Sequence, residues 1–257
     1  MIMGGMDLQV ILPMAVDIAE EASEIAYSYF RKKILIETKQ DLSPVTMADK
    51  STEEFIRQKL KNAFPSCGIL GEEFGLENGD FEYVWTVDPI DGTRSFIRGI
   101  PLFGTLLGLL HKGIPVLGVV VLPAIEETYW AGHQLGAFCN GVAIRVSTIH
   151  TLGNAMVGCA DISAFRETKR LPMLNHLMEK TELLRGYTDC FGHVMVARGA
   201  LDAMVDPVVA PWDVVPLACL ITEAGGQYSD CNGDPGYQKS FMTFTSGLRK
   251  DLFDLIT

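Results

Sequence analysis

No two of the six cysteines, at 67, 139, 159, 190, 219 and 231, stand at Cys-x-x-Cys spacing, and no Cys/His group has the spacing of a zinc site. Buried or surface thiols in a reducing compartment are the reading that remains. The segment Met1 to Leu12 lacks a basic stretch and is interrupted by Asp7, so it does not read as a signal peptide. Long hydrophobic runs are missing as well. The most apolar stretch, Pro101 to Ala124, is broken by His111, Lys112, Gly113 and Pro115, which makes it two buried strands and a turn, not a membrane span. These absences together suit a cytoplasmic enzyme. Positive charge is scarce: 21 Lys and Arg stand against 32 Asp and Glu, a net charge of −11. Such a surface repels nucleic-acid phosphates and disfavours a DNA or RNA binder. No Gly-x-x-x-x-Gly-Lys-Ser/Thr loop and no Gly-x-Gly-x-x-Gly after a strand is present, so nucleotide kinases and nucleotide hydrolases lack support.

What is present is a chain of 257 residues, 48% hydrophobic, enough for one large α/β unit of two lobes. Apolar residues recur at helical spacing from Leu8 to Phe30, with Pro13 marking a start or a bend. A second helix is expected over Met47 to Ala63, capped by Thr46 and followed by Pro65. Strands are expected at Gly68–Leu70, Tyr83–Val87, Phe103–Leu110, Val116–Leu122, Glu127–Ala131 and Ala137–Cys139, and Asn140-Gly141 is a hairpin turn. The second half alternates. Strands near Ala155–Gly158, Leu183–Gly186, Leu201–Val205 and Met242–Ser246 interleave with helices near Phe165–Met178, Gly192–Ala197, Val214–Ala224 and Leu248–Leu255. A boundary between lobes is expected near Val146 to Asn154, giving 1–146 and 147–257.

The segment Trp85-Thr-Val-Asp88-Pro-Ile-Asp91-Gly-Thr93 ends an apolar strand in two aspartates. Two carboxylates held this close repel, and leaving both ionised needs a cation between them. Their hard oxygens, with the Ile90 carbonyl, suit Mg²⁺. Thr93 would open a short helix whose free N–H groups could hold a phosphate oxygen. An ordinary Asp-Pro/Asp-Gly turn explains the same residues. Two further acidic places bear on the choice. Gly71-Glu72-Glu73 follows an apolar strand, where α/β ligands commonly sit. Pro211-Trp212-Asp213 precedes an apolar helix, with an N-cap as the bland role for Asp213. Asp49 reads as a first-turn acid of its helix.

In order along the chain, these pieces resemble the inositol monophosphatase superfamily of metal-dependent phosphatases: Asp41-Leu-Ser-Pro-Val-Thr-Met-Ala-Asp49, Gly71-Glu-Glu73, Trp85 to Thr93, Gly136-Ala-Phe-Cys-Asn-Gly141, and Trp212-Asp213 with Glu223-Ala-Gly-Gly226. The resemblance implies a layered α-β-α-β-α sandwich, usually homodimeric. It implies Mg²⁺-dependent hydrolysis of a phosphate monoester of a small metabolite, with two or three ions held by Glu72, Asp88, the Ile90 carbonyl, Asp91 and Asp213. Thr93 and Glu72 would orient and deprotonate the attacking water. Asp49 joins this catalytic group, and Glu73 stands behind it. Gly92 and Thr93 would offer N–H groups to the phosphate. The cations would then supply the positive charge that an acidic chain lacks. A catalytically silent metal- or partner-binding relative is the non-enzymatic alternative.

On the alcohol side the chain is more similar to histidinol-phosphate phosphatases than to animal inositol enzymes. The residues that say so are Gly92-Thr-Arg-Ser-Phe96, Gly99-Ile-Pro-Leu-Phe-Gly-Thr105 and Asp189-Cys-Phe-Gly192. Asp206 and Asp189, with Arg185 near them in sequence, are the substrate-side candidates. Carboxylates there could bind an ammonium or imidazole, or the hydroxyls of inositol or a sugar. The competing role for these acids is pairing with Arg185 or Arg198. One departure stands out: the family usually has a small residue where this chain has Val215. Arg94 and Arg98 could line the mouth of the site, with a solvent-facing position as the competing role, and His193, Trp130 and Trp212 read as core, surface or packing residues.

Overall fold

The computed structural model describes residues 2–3, 6–32, 36–38, 44–77, 81–236 and 239–255; Asp41, Leu42 and Ser43 of the first motif lie outside them. Strands β1 (Ile2–Met3) and β2 (Met6–Asp7) precede helix α1 (Leu8–Tyr29), and β3 (Ile36–Thr38) pairs with β4 (Pro44–Thr46) before α2 (Met47–Ala63). Then come β5 (Gly68–Gly71), β6 (Gly75–Leu76), β7 (Tyr83–Asp91), α3 (Thr93–Ile97), β8 (Gly104–His111), β9 (Ile114–Leu122), β10 (Glu127–Gly132), β11 (Gly136–Cys139) and β12 (Val142–Ala143). The remainder is β13 (Met156–Cys159), α4 (Ile162–Glu167), α5 (Leu171–Lys180), β14 (Leu183–Gly186), α6 (Asp189–Ala197), β15 (Ala203–Asp206), α7 (Pro211–Glu223), β16 (Gly226–Ser229), β17 (Phe241–Thr245) and α8 (Arg249–Asp254).

Eight strands form one sheet in the order β12-β11-β10-β9-β8-β7-β5-β6, and five form another in the order β14-β13-β15-β17-β16. Successive side chains point to opposite faces of a strand, so an all-apolar strand feeds two cores. Trp85, Val87, Leu107, Leu109, Val119 and Val121 pack under α1 and α2, whereas Leu106, Val120, Leu122 and Tyr129 face the layer of α6 and α7. The far side of the five-stranded sheet is covered by Phe165, Met173, Leu177 and Leu252 of α4, α5 and α8. The result is the α-β-α-β-α layering expected of the sequence.

Helix α1 starts at Leu8, with the Asp7 carboxylate accepting from Gln9 N–H, so Pro13 lies inside the helix, exposed to solvent, and does not open it. Helix α2 has the expected bounds. Thr46 accepts from Ala48 N–H and Asp49 accepts from Thr46 N–H, a reciprocal cap. The expected single helix over Phe165–Met178 is instead two. Lys169 at φ 61° breaks it and Pro172 restarts it.

The seat of α7 is set by two glycines. Gly108 of β8 and Gly118 of β9 are cross-strand partners. A Cβ at Gly108 would lie 2.8 Å from Val215 Cγ1, and one at Gly118 would overlap the Pro216 carbonyl. The bulk of Val215, unusual for the resembled family, is therefore taken up by the bare backbone of Gly108.

Candidate active site

β5 runs parallel to β7 with Gly71 opposite Val87, and the Glu72 N–H donates to the Val87 carbonyl at 3.1 Å. That register sets Glu72, the residue after β5, beside Asp88. On its other side β7 pairs with β8, Asp88 opposite Leu106 and Asp91 opposite Gly104, with a slip between them. Pro89 has no N–H for the ladder, and the slip falls around it. The intervening backbone is pinned on both sides. Asp88 accepts from Ile90 N–H at 3.0 Å, and the Thr105 hydroxyl donates to the Pro89 carbonyl at 2.9 Å. Gly92, at φ 80°, turns the chain into α3; a Cβ there would stand 2.9 Å from the Leu102 carbonyl. The Thr93 hydroxyl then donates to the Ile90 carbonyl at 3.0 Å.

Asp213 arrives from the other layer, in the first turn of α7, where it accepts from Ala210 N–H at 2.8 Å. Pressing α7 onto Gly108 and Gly118 carries this end of the helix over the end of β7. One carboxylate oxygen each from Asp88, Asp91 and Asp213 lies within 4.8 Å of the others. α6 joins them, with Cys190 N–H donating to Asp91 at 2.6 Å. Asp49 is fully buried. One of its oxygens takes both the N–H and the hydroxyl of Thr46, and the other has no hydrogen-bond partner among the described residues.

Burial first, then the charges of Glu72, Asp91 and Asp213, hold the Asp88 carboxyl well above the usual range. Burial, then Asp189 and Asp213, do the same to Asp91 against the opposing Cys190 bonds. Burial raises Asp213 to about 7, with Glu72 and Asp206 adding to it and the Ala210 N–H opposing. Burial, partly offset by Thr46, raises Asp49, and Glu72 adds to the rise. These carboxylates can stay together only by holding protons or by sharing a cation. The donors are all hard oxygens, with no nitrogen or sulfur among the side chains, and they fit a small divalent ion such as Mg²⁺ better than zinc.

The sequence profile of the inositol monophosphatase family matches residues 7–250. The chain belongs to the inositol monophosphatase family. It is accordingly a phosphatase, a phosphoric monoester hydrolase, of a family that is generally metal-dependent. It is 38% identical to the histidinol-phosphatase of Chlorobaculum parvum over 229 residues, 86% of each chain. It is 35% identical to that of Mycobacterium tuberculosis over 246 residues, 93% of this chain and 95% of that one. Among solved structures, the extragenic suppressor protein suhB of Bartonella henselae superposes with a TM-score of 0.90 at 26% identity, over 96% of this chain and 98% of that one. An inositol monophosphatase from Anabaena gives 0.87 at 28% identity, over 98% and 96%.

The substrate-side candidates separate in space. Asp189, at φ 53°, and Asp206, ending β15, both line a cavity of about 440 Å³ that shares Arg94, Asp161 and Asp189 with one of about 220 Å³ lined by Glu72, Gly92 and Thr93. Burial raises both carboxyls, and for Asp189 Thr188 and, more weakly, the Arg94 charge partly offset it. Arg185 is exposed on β14 and does not line either cavity. Arg198 bonds Glu127 at 2.7 Å and the Tyr129 hydroxyl at 3.1 Å, so it is not the partner of Asp189 or Asp206. Arg94 is exposed, as a solvent-facing residue would be, and it also lines the mouths of both cavities. Asp161 and Glu167 were not foreseen. Asp161 follows the end of a strand, the same signal that drew attention to Glu72, but no nearby motif marked it. His193 is buried, its Nδ1 2.9 Å from the Thr243 hydroxyl, and burial lowers it to about 3, in keeping with a core role. No helix among the described residues is long and apolar enough to cross a membrane.

Proposed function

We propose that this phosphatase hydrolyses histidinol phosphate with Mg²⁺ held by Glu72, Asp88, the Ile90 carbonyl, Asp91 and Asp213. The observation that carries the metal reading is the approach of three carboxylates, Asp88 buried and Asp91 and Asp213 largely so, within 4.8 Å, with Glu72 set beside them by strand register. Two or three bound ions would neutralise the phosphate and make a water acidic enough to attack. The Thr93 hydroxyl, spent as a donor on the Ile90 carbonyl, keeps its lone pairs to accept from that water. Glu72 takes the proton, with Asp49 and Glu73 behind it. The N–H groups of Gly92 and Thr93 hold phosphate oxygens. Asp91 and Asp213 stay fixed throughout by the Cys190 and Ala210 N–H groups.

The alcohol end is supported by charge. The 440 Å³ cavity is lined by Asp161, Glu167, Asp189 and Asp206, with Arg94 the cation among its described lining residues. An aminoalcohol carrying an ammonium and an imidazole meets this wall with charge-assisted hydrogen bonds, each worth about 1.5–3 kcal/mol. Inositol would offer hydroxyls alone. The histidinol-phosphatases among the relatives point the same way. The reading includes a cytoplasmic homodimer, each chain of two lobes divided near residues 146–154.

Phosphate release from histidinol phosphate and inositol 1-phosphate, assayed side by side in Mg²⁺, tests it. The expected kcat/KM ratio favours histidinol phosphate by about tenfold or more, one such bond at 1.4 kcal/mol per decade. The reverse ranking refutes the substrate assignment.

A further inference from the structure

The turn that bears Glu72 is held from behind by α2. Between the end of β5 at Gly71 and the start of β6 at Gly75 stand only Glu72, Glu73 and Phe74. Glu53 of α2 has no exposed surface. Its carboxylate accepts from Glu73 N–H at 2.7 Å, from Phe74 N–H at 3.3 Å and from Arg57 Nε at 2.7 Å. Arg57 closes the turn from its other end, donating to the Gly75 carbonyl at 2.5 Å and placing its guanidinium 5.8 Å from the Phe74 ring centroid. The fit is close enough that a Cβ at Gly71 would overlap the Glu53 carboxylate. Asp49, Glu53 and Arg57 are spaced by four residues along α2 and so share one face of the helix. The cap that fixes Asp49 therefore also fixes the origin of the clamp.

A buried ion pair adds little stability over apolar residues of the same volume, so its presence here calls for a different reason. An anion aimed at two consecutive N–H groups sets the path of the turn in a way that apolar packing cannot. We propose that Glu53 and Arg57 are positioning residues, which hold the backbone of 72–75 so that the Glu72 carboxylate meets Asp88 and Asp213 in the geometry a divalent ion requires. The proposal rests on Glu72 being a metal ligand.

The test is Mn²⁺ binding to the full chain, titrated by electron paramagnetic resonance, with thermal melting recorded alongside. Glu72→Gln serves as the reference variant. Glu53→Gln keeps the shape but leaves one N–H of the turn or Arg57 without its anion. It should weaken Mn²⁺ binding roughly 10–100-fold, the usual effect of removing a group that orients a ligand, in protein still folded at the assay temperature. Arg57→Lys keeps a positive charge beside Glu53 but loses the reach to Gly75. It should weaken binding by a smaller factor, and it carries the test if Glu53→Gln does not fold. Wild-type Mn²⁺ affinity in Glu53→Gln, or failing that in Arg57→Lys, alongside weakened binding in Glu72→Gln, overturns the proposal and leaves the metal assignment intact. Wild-type affinity in Glu72→Gln overturns both.

Discussion

Asp91 accepts a 2.6 Å bond from the Cys190 N–H while burial and two other carboxylates push its own carboxyl upward. The N–H fixes the side chain and the crowding requires a counter-charge, so position and charge are separable by substitution. Asp91→Asn keeps the shape but removes the charge, and Asp213→Asn does the same at α7. Each should lower Mg²⁺-dependent kcat by more than the roughly 10–100-fold typical of groups outside the ligand shell. A steady-state Mg²⁺ titration of phosphate release reads this, and full turnover in either variant contradicts the ligand assignment. Asp88, Ile90, Asp91 and Thr93 were legible in the sequence because they lie within six residues on one strand and turn. Asp161 and Glu167 were not, because they join Asp189 and Asp206 only where α4, α6 and β15 converge on one cavity. Arg185 was misplaced because closeness in sequence to Asp189 does not survive the turn from β14 into α6.

At the scale of elements, the position of Asp213 depends on how α7 lies on the large sheet. The paired glycines Gly108 and Gly118 let Val215 and Pro216 reach the strand backbone. Gly118→Ala would drive a methyl group into the Pro216 carbonyl. Overpacking of this kind costs about 1–3 kcal/mol. Urea unfolding should show that loss, and Mg²⁺ affinity should fall with it as α7 is displaced. Unchanged stability would mean that α7 is not seated by these glycines. Most elements followed from apolar periodicity and caps. The break between α4 and α5 did not, because Phe165, Met173 and Leu177 all face the core and keep the helical period across it. Strand β16, Gly-Gln-Tyr-Ser, also gave no signal: it carries no apolar alternation and is held by backbone pairing to β17.

Over the whole molecule, five layers bring carboxylates from α2, β7 and α7, and from the turn after β5, to one place in a chain already at −11. That concentration has a consequence for stability. Asp213 titrates near 7 in the folded protein against 3.8 for a free aspartate. Across that window the folded state holds a proton that the unfolded chain has released, so stability falls as pH rises from about 4 to about 7. Chelator-treated protein should therefore melt at lower temperature at pH 8 than at pH 5. Added Mg²⁺, in competition with protons for the same oxygens, should raise Tm more at pH 8 than at pH 5. A flat profile with equal Mg²⁺ increments would contradict this account of the cluster.

Diffraction from crystals grown in Mn²⁺, recorded at a wavelength where manganese scatters anomalously, addresses the centre of the account. Anomalous peaks within bonding distance of Glu72, Asp88, Asp91 and Asp213, displaced by chelator and absent from Asp91→Asn, are the predicted result. A map with no peak among those four carboxylates, at Mn²⁺ concentrations that support phosphate release, would contradict it.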